Sequence, residues 1–370
     1  MQTDFLNEAR RQAEICNACR YCEGYCSVFP ALHRERAFSN GDLTQLANLC
    51  HNCRSCYYAC QYTAPHEFAL NLPKALAEVR QESWKDHAWP RGFATLFDRS
   101  GVLLAAGLIV GFSLIFFLAQ AIKPENGEGF YAHMSHSLMV AIFFPAFLLP
   151  LLALAVSLGN YWRTVGGGAL RLGDVWEAVK SAGQMKNLEG GHGDGCNFED
   201  EDRFTQARRH FHQAVLYGFL LCFASTSCGT ILHYVFGLEA PYGFISLPKL
   251  LGVPGGLLLC IGTAGLAWLK TKADRNLGAP RAWGGEMAFV LLLFLVSATG
   301  LMLYAATGTA AIGWLLPLHL GSVLSFFLLT PYSKMAHGFY RMAALTKEAS
   351  ARRPAEGRAL TSGPSRANRT

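Results

Sequence analysis

Eight cysteines fall into two runs of identical spacing: Cys16, Cys19, Cys22 and Cys26 in CNACRYCEGYC, then Cys50, Cys53, Cys56 and Cys60 in CHNCRSCYYAC. Both read C-x2-C-x2-C-x3-C. Thiolates at this spacing hold [4Fe-4S] cubes in two-cluster ferredoxins, where three close cysteines ligate one cluster and the fourth of each run crosses to the other. The spacing therefore predicts two clusters, one on Cys16, Cys19, Cys22 and Cys60, the second on Cys50, Cys53, Cys56 and Cys26. Structural zinc also uses C-x2-C pairs, but two pairs suffice for a tetrahedral ion, so a repeated third and fourth cysteine favours the cube. The proline that usually follows the fourth cysteine is replaced by Ser27 and Gln61. Between the runs, DLTQLANLC lacks the alternation of a strand and points to a helical domain rather than the β-rich ferredoxin form.

A second set of metal-ligand types lies in apolar surroundings. The segment HLGSVLSFFLLTPYSKMAH runs from His319 to His337. An ionisable side chain in hydrocarbon is a functional site by default, and its partner should be sought. On a continuous helix this spacing is about five turns and roughly 27 Å of rise, so both rings share a face, each near one membrane surface. The segment RRHFHQAVLYGFLLCFASTSCGTILHY supplies partners on a helix running the other way. His212 falls level with His337, and His233 with His319; His210 is a substitute for His212 with a poorer phase. The pattern predicts one or two b-type haems held by histidine pairs, His212 and His337 on the cytoplasmic side, His233 and His319 on the far side. His133 and His136 are alternative far-side ligands or quinone-site residues.

These groups must be positioned by a membrane protein. Of 370 residues, 51% are hydrophobic and only 16% charged, which is too apolar for a pair of soluble domains. Six windows reach spanning length, about 102–122, 138–158, 212–236, 250–269, 287–306 and 313–330; the fourth, interrupted by Gly and Pro at 252–256, is the weakest. Residues 1–100 are polar and contain no signal peptide, so the N-terminal segment is expected in the cytoplasm. Of the 32 lysines and arginines, all but Lys123 and Lys249 fall on the side of both termini if all six windows span. The positive-inside rule then puts both termini in the cytoplasm, and the net charge of +6 reports orientation. No basic motif interleaved with aromatics points to nucleic acid.

The fold class expected is all-α: an N-terminal helical two-[4Fe-4S] domain at 1–100, a six-span bundle at 101–340 with a cytoplasmic loop at 159–209, and a tail at 341–370. The tail is rich in Arg, Ser, Pro and Gly after about Arg352 and reads as disordered. In the loop, GGHGDGCNFEDEDRF offers His192 and Cys196, two ligands that make a poor metal site, so a docking loop is the better reading. Cys222, Cys228 and Cys260 lie in spans and read as small packing groups.

The double cysteine domain, the RRHFHQAV span and the PYSKMAHGFYR ending together resemble the tricarballylate or citrate utilisation protein B family, over nearly the whole chain. The last span is also similar to that of the cytochrome b subunit of respiratory nitrate reductase. The first resemblance implies a bacterial inner-membrane protein that takes electrons from an FAD-dependent dehydrogenase oxidising tricarballylate and passes them through iron–sulfur centres to the quinone pool. The glycine-dense GGHGDG follows no strand and opens no helix, so no flavin fingerprint is present and a separate cytoplasmic flavoprotein must supply the electrons. Two other roles use the same features. A related arrangement serves corrin oxidation in cobalamin biosynthesis, and a membrane redox sensor would also carry clusters beside helices.

Overall fold

A computed structural model describes residues 2–121, 129–191, 193–198, 203–238, 240, 242–243 and 245–353. His192 and the tail from 354 onward lie outside the described residues. The architecture is all-α: among the described residues the only strand-like pairing is an isolated bridge between Cys196 and Thr205.

Five helices build the cysteine domain: α1 (Gln2–Cys19), α2 (Val28–Arg34), α3 (Asn40–Leu49), α4 (Ser55–Tyr58) and α5 (Leu72–His87). A capping box starts α3, in which the Ser39 side chain accepts from the Asp42 amide while the Asp42 carboxylate accepts from the Ser39 amide. Asn71 caps α5, with Pro73 in its first turn. The cysteine runs lie at the ends of these helices. Left-handed residues turn the chain there, Arg20 directly after Cys19 and Asn52 and Arg54 on either side of Cys53, with φ of 59°, 52° and 69°. Such conformations are costly for residues with a Cβ and persist where the surroundings hold them, commonly around binding sites.

Six helices are long and apolar enough to cross a membrane. In chain order they are α6 (Arg91–Ala119) and α7 (His136–Thr164), then, after the short α8 (Leu172–Gly183), α9 (Ala207–Phe236), α10 (Leu247–Lys272), α11 (Trp283–Ala305) and α12 (Ile312–Leu329). A last helix, α13 (Ala336–Arg352), follows. All six expected windows lie on these helices, including the fourth. Its glycines do not interrupt α10. They are its contact surface: a Cβ on Gly255 would meet Leu221 Cβ at 2.9 Å, and one on Gly218 of α9 would meet the Leu259 amide at 2.7 Å. Small residues let two helix backbones approach where apolar burial offers no driving force in lipid.

Two expectations need correction. The segment from His319 to His337 is not one helix, because α12 ends at Leu329 and α13 begins only at Ala336, with Pro331 in the turn between. Residues 341–352, assigned to the tail, are helical and pack against the cysteine domain. The Tyr340 ring lies 5.4 Å from Tyr161 and 6.3 Å from Trp84, and the Ala344 carbonyl accepts from Gln45 Nε2 at 2.8 Å. A buried carboxylate on α13, Glu348, pairs with Arg34 of α2. The cysteine domain thus sits at one end of the bundle, against the beginnings of α6, α9 and α11 and the ends of α7, α10 and α12. Reporter fusions before Met1 and after Thr370 should therefore give signals on the same side of the membrane. Opposite signals would remove one span from the count.

Candidate redox site

Because α1 ends at Cys19, Cys16 and Cys19 project from its last turn, and the turn at Arg20 brings Cys22 back beside them. Cys60 joins these three from the second run. The four thiols border a cavity of about 220 Å³ whose walls also include Cys56, Tyr21, Phe29 and Leu72. Cys26 crosses the other way and stands with Cys50, Cys53 and Cys56 around a tighter space of about 20 Å³, which must widen to admit a cluster. Among the described residues no three Cys, His, Asp or Glu side chains close on a point that one ion could occupy. Four thiols spread around a space match the donor set of an iron–sulfur cluster better than that of a single zinc ion. Burial and neighbouring thiols push Cys16 and Cys22 up to about 12. Metal binding must therefore displace their protons. Cys53 is lowered instead, first by its hydrogen bond with Cys196, against the opposing effect of burial, and further by hydrogen bonds from Ser55.

The glycine-rich loop contributes here. It was expected on the surface as a docking loop, and it docks on its own chain: Cys196 and Asn197 are fully buried, and the Asn197 amide donates to the Cys53 carbonyl at 3.0 Å. The Phe198 ring then lies under two guanidinium groups, Arg208 at 4.1 Å and Arg54 at 4.6 Å.

Three arginines from three helices hold the second cysteine run against the bundle. Arg80 of α5 and Arg341 of α13 both donate to the Cys50 carbonyl, at 2.7 and 2.8 Å. Arg208 of α9 donates to the Asn52 and His51 carbonyls, at 2.7 and 2.9 Å. Each arginine has a ring one turn away on the same helix face. The pairs are Arg80 with Trp84, Arg208 with His212, and Arg341 with His337. Sequence reasoning missed this, although the four-residue spacing was there to be read.

Two of these rings meet. His212 and His337 stand 5.8 Å apart between centroids, inclined at 69°, in a cavity that His51 also borders. His212 Nδ1 is buried without a hydrogen-bond partner, while His337 Nδ1 donates to the Lys334 carbonyl and leaves Nε2 uncommitted. Two imidazoles bordering one cavity, one of them with an orphaned ring nitrogen, are the donor type that would hold a metal or haem there. The structure thus brings together the two histidines that the sequence pairs, His212 and His337. Burial and the Arg341 charge hold His337 and His51 well below the usual histidine range. Both are therefore in the neutral, ligating form. His210, the substitute, is exposed.

The far end differs from the expected pairing of His233 with His319. His233 lies against His136, 4.3 Å between centroids, and His136 Nε2 is 3.1 Å from the Tyr234 hydroxyl. His319 packs against α11, with Nδ1 3.0 Å from Thr299 Oγ1 and Cε1 where a Cβ on Gly300 would come within 3.1 Å. His133 Nδ1 pairs with Gln120 Oε1 at 2.9 Å. His233 Nδ1, like that of His212, is buried and unpartnered.

Comparison with known proteins fits this division of the chain. Residues 9–88 match the family model of the Citrate utilization protein B Fer4-like domain, and residues 94–358 match that of Citrate utilization protein B. The chain is 44% identical over 345 residues to Citrate utilization protein B of Escherichia coli, covering 92% of this chain and 91% of that protein. The chain belongs to the citrate utilization protein B family. No solved structure matches it. In this citrate utilization protein B family member, the boundary between the two matched regions falls at the start of α6. Its Fer4-like domain is the helical cysteine domain described above, the iron–sulfur part of a protein whose six apolar helices make it a multi-pass membrane protein.

Proposed function

We propose that this chain is the membrane electron-transfer partner of a cytoplasmic FAD-dependent dehydrogenase acting on tricarballylate or a similar tricarboxylate, and that it carries the electrons to quinone in the bacterial inner membrane. When bound, two [4Fe-4S] clusters and a b-type haem supply one-electron redox centres. The chain's own residues set the order of the path. Cys16, Cys19, Cys22 and Cys60 border the first cavity, where Cys19 is exposed. Cys26, Cys50, Cys53 and Cys56 lie beneath them, and His212 and His337 lie next to the Cys50 loop.

The observation that carries this reading is the triple arginine clamp on the Cys50–Asn52 carbonyls, which ties the second cysteine run to α9 and α13, where the paired imidazoles stand one turn from Arg208 and Arg341. Guanidinium groups hydrogen-bonded to the loop also place positive charge beside the thiolates, where it favours the reduced, more negative state. The relative's name connects it with citrate utilisation. The test is iron, acid-labile sulfide and haem analysis of the purified protein, with EPR and optical spectra recorded as the dehydrogenase and its substrate reduce it. Two cluster signals and a low-spin b-type spectrum, all reduced by the dehydrogenase, are expected. Stoichiometric zinc in place of iron would overturn the reading.

A further inference from the structure

Helix α6 is broken where it meets the membrane. Ser100 leaves the helical region, with φ −142° and ψ 30°, between the polar Asp98–Arg99 and the outward-facing Val102 and Leu103, which are 51% and 76% exposed. The break borders a cavity of about 270 Å³ closed by Trp84, Phe97 and the α12–α13 turn, with Gly284 and Gly285 as its floor. Small-molecule sites begin at roughly 300 Å³, so this is room for one ring system. We infer that this cavity is a quinone-reduction site, open to lipid beside Val102 and Leu103 and joined at its inner end to the redox path. This rests on the electron-transfer reading above.

Two connections join the cavity to that path. Trp84 forms its wall one turn beyond Arg80, whose guanidinium holds the Cys50 carbonyl. Glu286 and Lys334 border both this cavity and the one that contains His212 and His337. Glu286 is held between Lys270 at 2.5 Å and Lys334, a half-buried ionic set of the kind that marks function in membrane proteins. Two of the three cations at the mouth are already paired: Lys85 is paired with Glu82 at 2.6 Å and lies 3.7 Å from Asp98, and Arg281 is paired with Glu82 at 3.4 Å, while Arg99 is the third. An anionic lipid headgroup would meet Arg99 alone unless it displaced these carboxylates. A quinone ring with an apolar tail needs no such exchange.

In the reaction both ring carbonyl oxygens become hydroxyls. Two electrons come from the reduced flavin of the dehydrogenase through the iron–sulfur domain, leaving the flavin oxidised, and two protons come from water at the mouth.

The test uses the full-length protein in nanodiscs. A photoreactive azidoquinone should label peptides containing residues 98–103, 284–286 or 331–334, and decylubiquinone should protect them. Gly285→Leu adds bulk to the floor, where a Cβ is tolerated at ordinary contact, 3.5 Å from the Phe97 ring. It should slow reoxidation of the reduced protein by decylubiquinone at least about tenfold, while reoxidation by ferricyanide, which needs no lipid-facing site, stays within about twofold. Labelling at His136 and His233 instead, protection by phosphatidylglycerol rather than quinone, or an unchanged decylubiquinone rate in Gly285→Leu overturns the site but leaves electron transfer to quinone standing. A wild-type protein that ferricyanide reoxidises and decylubiquinone does not overturns both.

Discussion

His337→Ala and His212→Ala should each remove the same haem. The two rings stand on α13 and α9, more than a hundred residues apart in sequence, yet 5.8 Å apart in the fold. A haem held between them, as proposed, would be left with one protein ligand by the loss of either. The low-spin optical spectrum should lose one component, and quinone reduction by the dehydrogenase should fall by at least the 10–100-fold that even outer-shell partners of a metal site contribute. Both cluster EPR signals should remain, because the thiols belong to a separate domain. Full haem content in His337→Ala, with an unchanged rate, would mean that the pair serves packing only. At the far end, His233→Ala should be compared with His136→Ala and His319→Ala. The variant that reproduces its spectrum identifies the partner, and the seating of His233 on His136 makes that residue a competitor of His319.

The second large effect concerns the crossing cysteines. Cys60→Ser should reproduce the EPR of Cys16→Ser, and Cys26→Ser that of Cys53→Ser, each losing about half of the iron and sulfide if the fourth ligand is supplied by the opposite run. Cys60 borders one cavity with Cys16, Cys19 and Cys22, and Cys26 borders the other with Cys50 and Cys53, while Cys56 lines both, so the spectra decide the crossing. If Cys60→Ser instead removes the signal that Cys53→Ser removes, each run holds its own cluster.

The thiol grouping and the six apolar helices were legible because both are carried by local spacing. The His212–His337 meeting was legible for a partly mistaken reason. The phase count treated 319–337 as one helix, whereas the turn at Thr330–Met335 separates the two histidines, and His337 reaches His212 from a helix that returns over the cysteine domain. At the far end the same count had less to support it. Pro317 lies two residues before His319, and Pro145 and Pro150 interrupt the hydrogen-bond ladder of α7. A proline inside a helix shifts the phase of the residues beyond it. The surroundings of His319 are then set by Thr299 and Gly300, a hydroxyl and a missing side chain that carry no distinctive pattern. The burial of Cys196 and Asn197 was hidden for a different reason. A loop full of glycine and acid reads as solvated, and it is attached to Cys53 by a backbone hydrogen bond from Asn197 and a thiol contact from Cys196, both from a distant segment.

The α6 break lies at the same end of the bundle as the cysteine domain, and this has an energetic consequence. Moving one elementary charge through the hydrocarbon works with or against the transmembrane voltage by about 2.3 kcal/mol per 100 mV. On the inferred route neither the electrons nor the protons make that crossing, since donor, relay and the cavity at Ser100 share one face. The driving force of the dehydrogenase is then conserved only as quinol, and any contribution to the proton-motive force is left to whichever enzyme reoxidises it.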